Sequence, residues 1–374
     1  MKKFAFLLHF RSDYRTELRT LARPLGWLPE RFYRSVFRRL PFAPFVWGTI
    51  TVTPDATEPE GYVIMLPYSG DHLLQQQDEV ISRIEQGLRL SSALGAEIVG
   101  LGAQTSTVTL DGRLLTTNPY TSITSGNSFT AVTLWQQVFQ LINQLPDREP
   151  VVAVVGATGS TGSLLCQLMT VHQPSARYVL VDRHERRLQD ISTLMTSLNN
   201  TVKPQISRDM DQIRKADLVV CLSGSDDHQL QASQLKPGAV VLYDVNANGT
   251  AASLCEKRPD VLFLAGGLVS LPHLQLGRGL GLPNQMAFAS LAETMLLALV
   301  GREGHFSIGQ PTLEQADYLL ALAQQFSNLG FWHAWHDNLD QKQKAFPLLP
   351  LIAAPLPYAT AWLQPKLPGL MGLD

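Results

Sequence analysis

The segment Val151-Val-Ala-Val-Val155 is an unbroken apolar run that breaks directly into Gly156-Ala-Thr-Gly-Ser-Thr-Gly162 ahead of a helical stretch. Such a run suits a parallel strand covered by helices on both faces. Glycines at i, i+3 and i+6 between a strand and a helix let backbone N–H groups approach an anion at the helix N-terminus. Short apolar runs recur at 178–181, 218–222, 240–243 and 261–264, with helical stretches between them. This alternation implies right-handed crossovers and a doubly wound sheet. The expected fold class is α/β: a Rossmann-type doubly wound parallel sheet plus a second α/β substrate domain.

Upstream, strands are expected at 3–9, 45–52, 61–66 and 98–101, and helices at 75–94 and 129–145, from their apolar spacing and their Gly, Pro and Asp boundaries. The polar stretch Pro146-Asp-Arg-Glu-Pro150 reads as a joint between folded units. The expected division is 1–150, a substrate domain; 151–283, a dinucleotide-binding domain; and 284–374, a helix returning to the domain interface plus an apolar, Pro-rich extension. A chain of 374 residues that is 45% hydrophobic has room for two such cores. No run of 18 apolar residues predicts a spanning helix, and 345–363 reads as a greasy surface strap. Cys166, Cys221 and Cys255 fit neither a disulfide framework nor a zinc site, and no signal peptide is evident, so a reducing cytoplasm is expected. No metal is expected, His333-x-x-His336 reading as part of an aromatic surface or core.

The glycine loop, with Thr158, Ser160 and Thr161 shaping it between Gly156, Gly159 and Gly162, is expected to hold the phosphates of a nicotinamide dinucleotide. Asp182 closes the second strand, where the adenosine ribose is read. It favours a 2′-hydroxyl, whereas Arg183, Arg186 and Arg187 favour a 2′-phosphate. The loop type and the arginines put NADPH ahead of NADH. Ser223 and Gly224 are expected beneath the nicotinamide ribose. On the acceptor side, Thr105, Ser106, Ser125, Asn127 and Ser128 offer hydroxyls and an amide for a carbonyl oxygen, with helix capping the competing role for Asn127 and Ser128. His273 is a general-acid candidate, and Glu293 is expected to pair with an arginine.

Five motifs, Gly100-Leu-Gly-Ala-Gln-Thr-Ser106, Thr124-Ser-Gly-Asn-Ser128, Val154-Val-Gly-Ala-Thr-Gly159, Ala265-Gly-Gly-Leu-Val269 and Leu291-Ala-Glu-Thr-Met-Leu-Leu297, occur in the order seen in long-chain acyl-(acyl carrier protein) reductases and related predicted amino acid dehydrogenases. The chain resembles that family over about 60–310. The resemblance implies reduction of an acyl thioester by NADPH to a fatty aldehyde through a covalent acyl-enzyme on a cysteine just before the Ala-Glu helix. That position is Ser290 here, a weaker nucleophile whose ester accepts hydride poorly. Three readings stand open: an inactive form, direct reduction of the thioester, or a dehydrogenase of a small keto, hydroxy or amino acid. A fourth, from another class, is a non-catalytic NADP-binding partner.

Although the net charge is only −2, residues 1–40 hold ten Lys and Arg against Asp13, Glu17 and Glu30. This basic region suits an acidic acyl carrier protein or a peripheral membrane contact, and coenzyme A is the alternative acyl carrier. No nucleic-acid partner is expected, and an oligomer is compatible with the sequence.

Overall fold

The structure is a computed structural model that describes residues 1–10, 14–39, 42–69, 77–145, 149–172, 175–223, 229–244 and 250–334. Its first unit opens with β1 (Phe4–Phe10), α1 (Tyr14–Leu21), α2 (Glu30–Arg39), β2 (Phe45–Thr51), β3 (Gly61–Ser69), α3 (Gln77–Ala93), β4 (Ile98–Leu101), α4 (Gln104–Val108), β5 (Ser122–Thr124) and α5 (Asn127–Ile142). Every residue of β1 is buried. Phe4, Phe6 and Leu8 join one core and Ala5 and Leu7 the other, because successive side chains of a strand point to opposite faces. Val80, Ile84 and Leu88 supply α3's share of the second core at helical spacing.

The second unit carries β6 (Val151–Val155), α6 (Ser160–His172), β7 (Arg177–Val181), α7 (Glu185–Leu198), β8 (Gln205–Ser207), β9 (Leu218–Cys221), β10 (Val240–Asp244), α8 (Thr250–Lys257) and β11 (Leu262–Gly266). Its strands lie in the order β11-β10-β9-β6-β7-β8, all parallel. This is the doubly wound Rossmann arrangement, in which strand order reverses between β6 and β9 and ligands bind beyond the strands' carboxyl ends. The fold is therefore α/β with Rossmann-type parallel sheets.

The chain then returns to the first unit through β12 (Leu268–Ser270), β13 (Gln275–Leu276), β14 (Met286–Phe288), α9 (Ala289–Leu299), α10 (Leu313–Gln325) and β15 (Trp332–His333). Gln275 and Leu276, on the Rossmann side of the boundary expected at 283, pair antiparallel with Thr51 and Ile50. The first sheet thus reads β13-β2-β3-β1-β4-β5, and the Rossmann strands end at Gly266. β12, β14 and β15 form a small antiparallel sheet. The joint residues 146–148 and the strap at 345–363 lie outside the described residues. Among the described residues no helix is long and apolar enough to cross a membrane.

α9 positions the site. It is buried from Ala289 to Ala298, so packing rather than amphipathic patterning holds it. It packs on β4, β1 and α5. The approach is so close that a methyl added at Gly100 would stand 2.0 Å from Thr294 Oγ1 and 2.7 Å from Phe6 Cδ2. Gly100→Ala is expected to cost about 1–3 kcal/mol of stability through overpacking, read as a lower thermal midpoint. Gly279→Ala, whose methyl meets nothing within 4 Å, should stay within about 0.5 kcal/mol of the parent.

Candidate functional site

A cleft of about 1110 Å³ runs between the units and is lined by the glycine loop, the ends of β7, β9 and β10, the start of α5, the α4 region and Ser290. On the Rossmann side, Gly156, Thr158, Gly159, Ser160, Thr161, Gly162, Asp182, Arg183 and Ser223 all face it. Gly224 lies outside the described residues.

The three loop glycines answer to different constraints. Gly156 has φ +86°, and a methyl there would meet Ser223 N at 3.0 Å. One at Gly162 would meet Gly156 O at 2.3 Å, so its bareness seats α6 against the loop. At Gly159 the nearest protein atom would be Gly156 O at 3.5 Å, an ordinary contact. The protein leaves room for a methyl at Gly159, which suits a residue whose exposed backbone is approached by a ligand. α6 begins at Ser160 and directs its unpaired N–H groups into the cleft, as a pyrophosphate requires. The donor set therefore fits a dinucleotide.

Asp182 is buried and tied in place, its Oδ2 accepting from Thr158 N at 3.1 Å and its Oδ1 from His184 N at 3.4 Å. Arg187, Asp190, Ile191 and Leu194 of α7 extend this end of the cleft.

The acceptor side is organised by Asp111. Asn127 Nδ2 donates to its Oδ1 at 2.8 Å, Ser106 Oγ to the same oxygen at 3.1 Å, and Ser160 Oγ to its Oδ2 at 2.5 Å. Thr161 Oγ1 donates to Asn127 Oδ1 at 3.4 Å, so the first turns of α5 and α6 are cross-linked by side chains. Asp111 takes a left-handed conformation (φ 54°), held by its N–H to Ser106 O and its carbonyl from Gly309 N, both at 2.8 Å. The local sequence marks Asp111 only by its place before Gly112, a pair typical of turns.

Asn127, Ser106 and Ser125 line the cleft. Thr105 does not: its side chain is fully buried on the inner face of α4, and its hydroxyl donates to Gly102 O at 2.6 Å. Ser128 is also buried, paired with Ser307 Oγ at 2.8 Å. The α5 N-cap position falls on Gly126, so neither Asn127 nor Ser128 caps it. His273 is exposed and away from the cleft lining, on a turn that the Gly266-Gly267 spacing did not reveal. His333 is half-buried, hydrogen bonded to Gln140 Oε1 at 2.9 Å, and pushed down to about 4 by burial. Cys166 and Cys221 are buried thiols raised by desolvation to about 12 and about 11, which suits packing rather than nucleophilic attack.

Ser290 stands in the first turn of α9 with its residue 7% exposed, facing the cleft. A methyl at Gly126 would lie 2.3 Å from Ser290 Cβ, so Ser290 sits on bare backbone at the mouth of α5. Three residues on, Glu293 meets no arginine among the described residues. It accepts from the Thr124 hydroxyl through Oε1 and from Phe129 N at 2.8 Å through Oε2, a carboxyl set at the N-terminus of α5. Burial raises it to about 7, against the lowering effect of Thr124 and of the Phe129, Gly126 and Ser128 backbone.

The semialdehyde dehydrogenase NAD-binding domain family matches residues 151–249. Together with the sheet order and the glycine loop, this makes the second unit an NAD(P)-binding domain of the dehydrogenase type. Over 321 residues the chain is 27% identical to the aminotransferase PigE of Serratia sp. (strain ATCC 39006), covering 82% of this chain and 37% of that protein. The chain thus spans less than two-fifths of that relative's length. Among solved structures, quinate dehydrogenase from Corynebacterium glutamicum in complex with NAD aligns at TM-score 0.35 and 12% identity, over 70% of this chain and 87% of its own. D-arabinose dehydrogenase from Sulfolobus solfataricus aligns at 0.30 and 15%, over 47% and 50%. Both are too distant for anything about this site to be carried across.

Two outcomes test the site. Gly159→Ala should keep the parent's thermal midpoint yet weaken dinucleotide binding, whereas Gly162→Ala should cost about 1–3 kcal/mol of stability. For Glu293, the folded carboxyl holds its proton more tightly than its ordinary value of 4.5. Its contribution is fully present below about 4.5 and is lost as pH rises through about 7. Denaturant midpoints should fall across that window, and Glu293→Gln should flatten the fall.

Proposed function

We propose that the chain is an NADPH-dependent reductase that turns an acyl thioester, fatty in its acyl part, into an aldehyde. The observation that carries this is that Ser290 and the glycine loop, far apart in sequence, open into one cleft. A bound nicotinamide dinucleotide supplies the hydride. Gly159 and the α6 N-terminus cradle its phosphates, while Arg183 and Arg187 flank Asp182 as partners for a 2′-phosphate.

Among the described residues no carboxylate or imidazole is bonded to Ser290 Oγ, so nothing is placed to withdraw its proton. Its hydroxyl instead donates to the acyl oxygen and stabilises negative charge developing there. The thioester is reduced as it arrives: hydride adds to the carbonyl carbon, the C–S bond breaks, and thiolate leaves to take a proton from water. Five exposed arginines on and between α1 and α2, Arg15, Arg19, Arg23, Arg31 and Arg34, offer an acidic carrier protein a docking face at the carboxyl end of β1.

The test is aldehyde formation from a long-chain acyl thioester with NADPH and, in parallel, NADH. The parent should form aldehyde slowly without becoming acylated, as judged by intact mass. Ser290→Cys should form a thioester adduct and turn over at least tenfold faster. Aldehyde from neither protein, with dinucleotide demonstrably bound, would overturn the proposal. Oxidation of a small hydroxy or amino acid by the parent would favour a small-acid dehydrogenase instead.

A further inference from the structure

The phosphates of a dinucleotide are drawn to the N-terminus of α6, yet a carboxylate from the other unit is hydrogen bonded there. Asp111 lines the cleft, and its Oδ2 accepts from the hydroxyl of Ser160, the first residue of α6, at 2.5 Å. A serine hydroxyl has a single proton to donate. Spent on Asp111, that proton is withheld from a phosphate approaching the adjoining Gly159.

The charge of Asp111 works in the same direction. Its Oδ1 accepts from Asn127 Nδ2 at 2.8 Å and from Ser106 Oγ at 3.1 Å, so all three partners of the carboxylate are neutral. Among the described residues no lysine, arginine or histidine pairs with it. An uncompensated anion thus stands one hydroxyl away from the seat of two more. The residue is also held where it is. Its backbone is left-handed (φ 54°), with its N–H on Ser106 O and its carbonyl accepting from Gly309 N, both at 2.8 Å.

We infer that Asp111 is a positioning residue that acts through Ser160 to loosen the grip on the pyrophosphate, so that the dinucleotide leaves readily after hydride transfer. It does so by keeping the Ser160 hydroxyl for itself and by setting its own charge against the phosphates. Departure of the spent dinucleotide is a step that limits turnover in many enzymes, and differences in affinity lie mostly in the rate of leaving. The inference uses the dinucleotide site alone and stands whatever acceptor is reduced.

Stopped-flow fluorescence, with NADPH or NADH chased from the full chain by excess oxidised dinucleotide, reads the rate of release. Asparagine and glycine tolerate a left-handed backbone best, so both suit position 111. In Asp111→Asn, Oδ1 can keep Asn127 and Ser106 while Nδ2 donates to Ser160 Oγ, which turns the serine proton toward the phosphate. Release from Asp111→Asn should be at least about tenfold slower than from the parent for both dinucleotides, and Asp111→Gly should slow it by a smaller factor. Ser160→Ala alone should change release by less than about threefold, because its hydroxyl is committed elsewhere, yet it should remove much of the gain when added to Asp111→Asn. A residue with a merely structural role would give faster release in every variant. Release from Asp111→Asn at the parent's rate or faster overturns the inference. So does release at least about tenfold faster from Ser160→Ala alone, a result that needs no variant of Asp111 to fold.

Discussion

Everything at the acceptor side hangs on the contact between α9 and the start of α5. Glu293 places its carboxyl on the N–H groups of α5 while Gly126 gives up its side chain so that Ser290 can lie against it. Burying an ionisable group this completely is tolerated because a hydroxyl and a helix N-terminus surround it. One joint thereby fixes the direction of α5, the height of Ser290 and the entrance to the loop where Asn127 meets the glycine-rich turn. Asp111 extends the same order across the cleft with hydroxyl and amide donors.

The Rossmann unit was largely legible because its signals are local. β6, the loop and α6 are encoded within 22 consecutive residues, and β7, β9, β10 and β11 are apolar runs with both faces covered. β8 was missed because Gln205-Ile-Ser207 is a three-residue edge strand with little to bury. β5 carries as little local signal, being three residues long with hydroxyls on Ser122 and Thr124. β13 has no local signal at all: it is two residues long and finds its place only by pairing with Ile50 and Thr51, far away in sequence.

The site divides along the same line. Glycines, Asp182 and Ser290 could be placed from spacing or resemblance, since their roles follow from position along one element. Asp111 could not, because its significance depends on partners, Asn127 and Ser160, brought from elsewhere in the chain. Thr105 shows the converse error: successive residues of a helix lie about 100° apart, so Ser106 and Thr107 line the cleft while Thr105 turns into the core.

The return of the chain after Gly266 makes the Rossmann unit an insertion inside the first. On a ribosome, β1 emerges ahead of β13 and α9 yet must wait for them to complete its sheet and cover its inner face. The inserted unit, with its more local connections, has all its strands more than twenty residues earlier than α9 is finished. Synthesis therefore favours an order in which the nucleotide-binding half is assembled while the other half still exposes Phe4, Phe6 and Leu8. A nascent chain caught at that stage would present those residues to chaperones.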